Sequence, residues 1–171
     1  MKVKVKRKPN QNLRKRLTKK INVKVGYFAE DKGKSPIDNE EGSSFDMVAL
    51  VNTLNDGTNS AGRNKRVKIP ARPFMDISAI KIRKQALDTA ITGIRAVVRE
   101  EKTMREVGNQ IGRDGASTIK AVIRDTVSPS NSPVTVWLKG KNDPLVDTGE
   151  MQKRAGAKVN GGKTMKLGDK S

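Results

Sequence analysis

Apolar and polar positions change rhythm several times along this chain, and each change predicts an element. Lys2-Val3-Lys4-Val5-Lys6 alternates strictly, the pattern of an edge strand or extended arm, where lysines also discourage unwanted strand pairing. Asn10 is a candidate cap for a short helix with Leu13 and Leu17 on one side and basic residues on the other. Ile21, Val23, Val25 and Tyr27 then alternate with Asn22, Lys24 and Gly26, which predicts a half-buried strand. Over 29–45 periodicity disappears. Ser, Gly and Pro there accompany Glu30, Asp31, Asp38, Glu40 and Glu41, and a surface loop is expected.

Asp46 is placed to cap a short helix with Val48, Val51 and Leu54 inward, ending at Asn55-Asp56-Gly57, where glycine tolerates the left-handed C-terminal conformation. Residues 58–68 read as a mobile loop with a basic cluster of Arg63, Lys65, Arg66 and Lys68. In Ile69-Pro70-Ala71-Arg72-Pro73-Phe74 the prolines enforce an extended approach, and the second can open a helix. Ile77, Ile80, Leu87, Ile91, Ile94 and Val98 recur at steps of three, four and seven and predict a long helix. Met104, Val107, Ile111, Ile119 and Val122 predict a second one over about 103–124. Gly108, Gly112 and Gly115 fall inside it, each costing about 1 kcal/mol against Ala in an isolated helix. They mark either fraying or a place where another backbone approaches closely.

Ser128-Pro129-Ser130-Asn131-Ser132-Pro133 is a break. The stretch 134–139 reads equally as a β-branched strand or as a helix begun by Ser132-Pro133. Asp147, with Glu150 three residues on, matches a capping box opening a last short helix. Ala157–Val159 reads as a last short strand, and the Gly- and Lys-rich stretch from 160 onward as disordered. The organisation expected is a basic N-terminal arm with a short helix over 1–20, one core domain over 21–159 carrying the acidic loop 29–45, and a flexible tail over 160–171.

Charge sharpens this division. The 171 residues carry 36 Lys and Arg against 18 Asp and Glu, a formal +18. Residues 1–29 hold eleven basic residues and no acid, 151–171 hold six and one, and the middle is nearly balanced. Cationic ends on a neutral centre suit arms that meet a polyanion or an acidic protein surface. The basic start is not followed by an apolar run, so no secretory signal is expected, and no stretch is apolar enough to span a bilayer.

Composition also closes off chemistry. Without cysteine or histidine, a disulfide scaffold, a thiol nucleophile and the Ser-His-Asp arrangement are excluded, as are the commonest metal ligands. Asp143 and Asp147 bracket a turn and could pair as carboxylates, but turns are the ordinary place for such residues. The acidic loop lacks the Asp-x-Asp-x-Asp-Gly spacing of a calcium site, and the glycines match no phosphate-binding loop. No cofactor is expected. The N-terminal lysines can neutralise phosphates non-specifically. Tyr27, Phe28, Phe45, Phe74 and Trp137, however, do not interleave with them as a stacking platform requires.

Three pieces in order carry a resemblance: Val48-Ala49-Leu50-Val51-Asn52-Thr53-Leu54-Asn55-Asp56-Gly57-Thr58, Ile69-Pro70-Ala71-Arg72-Pro73-Phe74, and Ser132-Pro133-Val134-Thr135 with Lys139-Gly140 and Pro144-Leu145-Val146-Asp147-Thr148-Gly149-Glu150-Met151. Together they resemble the tailed-bacteriophage virion-morphogenesis proteins, neck components that complete the tail and join it to the head, over residues 21–159. The acidic loop looks like an insertion, and the N-terminus is longer and more basic than in that pattern.

The resemblance implies an α+β fold, a small mostly antiparallel sheet flanked by two long helices. It also implies a non-enzymatic virion protein, made in the host bacterial cytoplasm and closed into a homo-oligomeric ring, six copies being expected, between portal connector and tail tube. Closed symmetry lets identical subunits bury heterologous contacts without growing into a filament. In that setting Lys2, Lys4, Lys6, Arg7, Lys8, Arg14, Lys15 and Arg16 are expected to dock on acidic neighbouring rings, with non-specific DNA contact in the channel as the other possibility. Pro70, Arg72, Pro73 and Phe74 are expected to fix a structural turn, and Asp147, Thr148 and Gly149 another. The competing readings are a non-specific nucleic-acid-binding protein acting through its basic N-terminus and a metal-dependent nuclease built on Asp and Glu.

Overall fold

The computed structural model describes residues 11–30, 32–34, 44–62, 64–126, 128–146 and 149–166. The fold is α+β, as expected, with two long helices and a small antiparallel sheet. In chain order the elements are α1 (Gln11–Leu17), β1 (Val23–Gly26), β2 (Lys32–Lys34), β3 (Ser44–Asp46), α2 (Met47–Asp56), β4 (Thr58–Ala61) and β5 (Val67–Ile69). They continue with α3 (Phe74–Val98), α4 (Met104–Asp125), α5 (Pro133–Lys139), α6 (Glu150–Arg154), β6 (Gly156–Val159) and β7 (Met165–Lys166).

The central sheet has the order β1-β6-β7. Val23 lies opposite Val159 and Gly26 opposite Gly156, so the two ends of the core domain are stitched together. Helix α4 packs between this sheet and α3. Its glycines make that possible. A Cβ on Gly108 would stand 2.9 Å from an Ile21 methyl, one on Gly112 2.8 Å from the Ala157 Cβ, and one on Gly115 2.9 Å from a Val25 methyl. Close approach, not fraying, explains them. The opposite side of α4 meets α3, where Val107 fills the space left by Gly93.

Helix ends follow their local chemistry. The Asp46 carboxylate accepts from the Val48 N–H at 2.9 Å and opens α2, which closes at Gly57 with φ 75°. Thr103 and Glu106 form a reciprocal capping box at the start of α4. Ser132 caps α5 by accepting from Thr135 N–H, with Pro133 in its first turn and left-handed Gly140 at its end. This settles 134–139 as helix. The core gathers Met47, Val51, Phe74, Ile119, Val122, Ile123, Leu145, Met151 and Ala155. It therefore sits where α2, the start of α3, the end of α4 and α6 converge.

Five expectations are corrected. The loop 29–45 is flanked by a hairpin, with β2 paired to β3, and 58–68 is a second hairpin of β4 and β5, turned through left-handed Gly62 and Lys65. Both were hidden because their strands are only three or four residues long, too short for a period to stand out. Residues 160–166 are not a loose tail: Asn160 and Gly161 take positive φ, the chain turns, and Met165 pairs with Ala157. Inside α2 the fully buried residue is Met47, at the helix start, while Val48 and Leu54 are half-buried. The residue that caps α6 is Gly149 and not the expected Asp147, which lies outside the described residues. The Glu150 carboxylate meets Arg154 at 2.9 Å and Lys153 at 3.4 Å.

Candidate interaction surfaces

The Pro70–Phe74 turn is built around a buried cation. Arg72 is 4% exposed. Its Nε donates to the Pro129 carbonyl at 2.9 Å, and its Nη2 to the Ser130 carbonyl at 3.3 Å and the Asn131 Oδ1 at 3.4 Å. Its own N–H donates to the Leu54 carbonyl at 3.0 Å. Burial pushes the guanidinium pKa down, yet an arginine stays charged, and three oxygens replace its water. The residue thus ties the end of α2, the start of α3 and the 128–132 break into one joint. Phe74, fully buried, lies in the core below, and Pro73 is the N-cap of α3. Asp147 and Thr148 of the second turn lie outside the described residues; Gly149 takes φ 75°. Asp143, offered as half of a carboxylate pair, sits 3.4 Å from Lys141 with its side chain half exposed.

Of the cationic docking set, Lys2, Lys4, Lys6, Arg7 and Lys8 lie outside the described residues, as does the cap candidate Asn10. Arg14, Lys15 and Arg16 share the exposed α1, where Arg16 bonds Glu100 at 2.8 Å and pins the helix beside the end of α3. A second basic group, Lys65, Arg66 and Lys68, stands exposed on the β4–β5 hairpin.

A mixed polar and aromatic cluster braces one rim of the sheet. Lys158 bonds Glu30 and lies 4.5 Å above the Phe28 ring, and Thr164 donates to the same Glu30 oxygen at 2.9 Å. The hydrogen bond from Lys158, with that from Glu30's own backbone next, holds the Glu30 pKa down to about 2. Between α3 and α4 runs a polar seam. Thr118 donates to Gln85 at 2.5 Å, and Asp114 accepts from Thr89 at 3.3 Å and Gln110 at 2.8 Å. It opens onto a shallow groove of about 470 Å³. Asp88 and Asp114 are the carboxylates there, and among the described residues no group of three or more metal-ligating side chains occurs. No described helix is long and apolar enough to cross a membrane.

The conspicuous surfaces are apolar. Ile77, Ile80, Leu87, Ile91, Ile94 and Val98, the residues whose spacing announced α3, are all exposed, Ile80 at 73%. The inner face of α3 instead uses Phe74, Ser78, Gly93 and Val97. On α5, Val134, Trp137 and Leu138 are exposed at 66%, 81% and 72%. The sequence alone offers Trp137 only as a base-stacking ring; Ser132-Pro133 as a helix start is the signal that sets it on a helix. Comparison of the chain with protein-family models, curated proteins and solved structures finds no match to any of them.

Proposed function

We propose that this chain is a structural subunit, without catalysis, that closes into a ring in the neck of a tailed phage, completes the tail and joins it to the head connector. The observation that carries the proposal is Trp137, which stands 81% exposed with Leu138 and Val134 on a short, separately capped helix. An indole is the costliest side chain to leave in water and the most enriched at the centres of protein interfaces. A projecting apolar helix that meets a different patch on the next copy is a heterologous contact, the kind that generates rings. The α+β architecture and the residues of the resemblance support the same reading. The cationic N-terminal residues then serve as docking arms for acidic neighbouring neck, portal or tail-tube surfaces.

The test is to count copies of the chain in purified particles by quantitative mass spectrometry, with the portal as internal standard. Half or all of the portal count is the expected result. Absence from the particle overturns the proposal and shifts the weight to nucleic-acid binding, whose signature is affinity for DNA that falls steeply with salt.

A further inference from the structure

The outer face of α3 has a finer order than exposure alone. With Lys84 in its gap, the exposed series reads Ile77, Ile80, Lys84, Leu87, Ile91, Ile94, Val98. The steps alternate three, four, three, four, three, four without a slip. These are the a and d positions of three heptads, with Ile77, Lys84, Ile91 and Val98 at a and Ile80, Leu87 and Ile94 at d. The stripe lies on the side of α3 turned away from Ser78 and Gly93, and it is Gly93 that meets Val107 of α4. A monomer gains nothing from holding six large aliphatic side chains in strict 3.5-residue register in water.

The flanking charges identify the occupant. Position g holds Asp76, Arg83, Ala90 and Val97, and position e holds Phe74, Lys81, Asp88 and Arg95; Phe74 and Val97, at the two ends, are buried in the chain's own core. In a parallel, in-register pair each g residue faces the e residue five places on in the other helix. Asp76 then meets Lys81, Arg83 meets Asp88, and Ala90 meets Arg95: two opposite-sign pairs, each occurring twice by symmetry, and no like-sign pair. An acidic partner helix would set its carboxylates against Asp76 and Asp88. Among the described residues Lys81, Arg83, Asp88 and Arg95 form no ion pair within the chain, and Asp76 only accepts from Asn55 Nδ2 at 3.1 Å. Lys84 is the single polar a residue, a feature that selects register and strand number at a cost in affinity. Its stem covers the seam while its ammonium reaches water.

We propose that two copies of this chain associate through α3 as a parallel, in-register two-stranded coiled coil. The pairing has a two-fold axis along α3 and is independent of the neck reading, which needs a different, heterologous surface.

Sedimentation velocity of the full chain over a concentration series tests it. The expected result is a monomer–dimer equilibrium that Leu87→Asp with Ile91→Asp abolishes while circular dichroism stays unchanged, both residues being exposed. A native chain that stays monomeric throughout overturns the proposal, as does a double variant that still dimerises. Orientation is read separately, because the chain has no cysteine. Ile80→Cys, Leu87→Cys and Ile94→Cys, each alone, should all yield an interchain disulfide on oxidation. A disulfide from Leu87→Cys only means an antiparallel pair and overturns the parallel register. Arg83→Asp should weaken the dimer on the order of tenfold, and adding Asp88→Arg should restore it. Dimers in solution with no copies in the particle leave this pairing standing and remove the neck reading. Normal assembly of the Leu87→Asp, Ile91→Asp variant into particles does not rescue the pairing if the native chain is monomeric.

Discussion

Helices α3 and α4 are neighbours of similar length that use their apolar residues in opposite ways. Along α4 the large side chains Val107, Ile119, Val122 and Ile123 are buried, and glycines line the side where the sheet presses in. Along α3 the buried residues include Ser78 and Gly93, and the large aliphatics face outward. One helix is finished by its own chain and the other is not. An apolar stripe therefore reports that a helix face is to be covered, without saying by what. Where a helix has two such faces, the fold consumes one and the other is left for association.

The contrast can be broken from either side. Ile119→Ala, in the middle of the covered face, should have the largest effect, a loss of about 2–5 kcal/mol in urea unfolding from the cavity it opens. Gly115→Val attacks the approach of the sheet itself. Its side chain enters space held by Val25, and a loss of about 1–3 kcal/mol is expected, read as a lower midpoint in the same titration. Arg72→Met tests whether the joint at the start of α3 is held by hydrogen bonds or by packing. The methionine stem keeps the packing, so a loss of about 1–3 kcal/mol measures the Pro129 and Ser130 carbonyls left without donors.

Acid probes the Glu30–Lys158 pair beside the sheet. Glu30 has a folded pKa of about 2 against an ordinary 4.5, so its contribution is complete above pH 4.5 and is lost as pH falls towards 2. Lys158→Met should flatten that portion of the pH–stability curve, with a small effect because Glu30 is exposed. The smallest effect belongs to the uncovered stripe. Ile91→Ala, measured dilute enough that copies are unpaired, should change unfolding by no more than about 0.5 kcal/mol.

What the chain disclosed in advance follows the same division. The two long helices, the 23–26 strand, the Asp46 cap and the break at 128–133 were legible because each rests on chemistry within one turn or one alternation. Short strands such as Thr58–Ala61, with its Asn and Ser, exist because a neighbour pairs with them, and no local pattern marks that. The residues of α3 were read correctly as a helix but not as its outside, since periodicity fixes a face and leaves its direction open. At the candidate surfaces, Arg72 and Phe74 stood out through Pro-x-Arg-Pro-Phe. Arg72's partners, 57 to 59 residues further on, could not be seen. Trp137 gained its meaning only once its stretch proved helical and outward-facing.

The pairing of Val23 with Val159 imposes an order in time. The α3–α4 hairpin joins segments that leave the ribosome consecutively, and such local contacts form early. The sheet, in contrast, cannot close until residues 156–159 have emerged. During that interval the glycine-lined side of α4 is bare, as is the outer stripe of α3. Synthesis therefore passes through a stage when this hairpin is apolar on both sides, and a chaperone has its best opportunity to bind before β6 arrives.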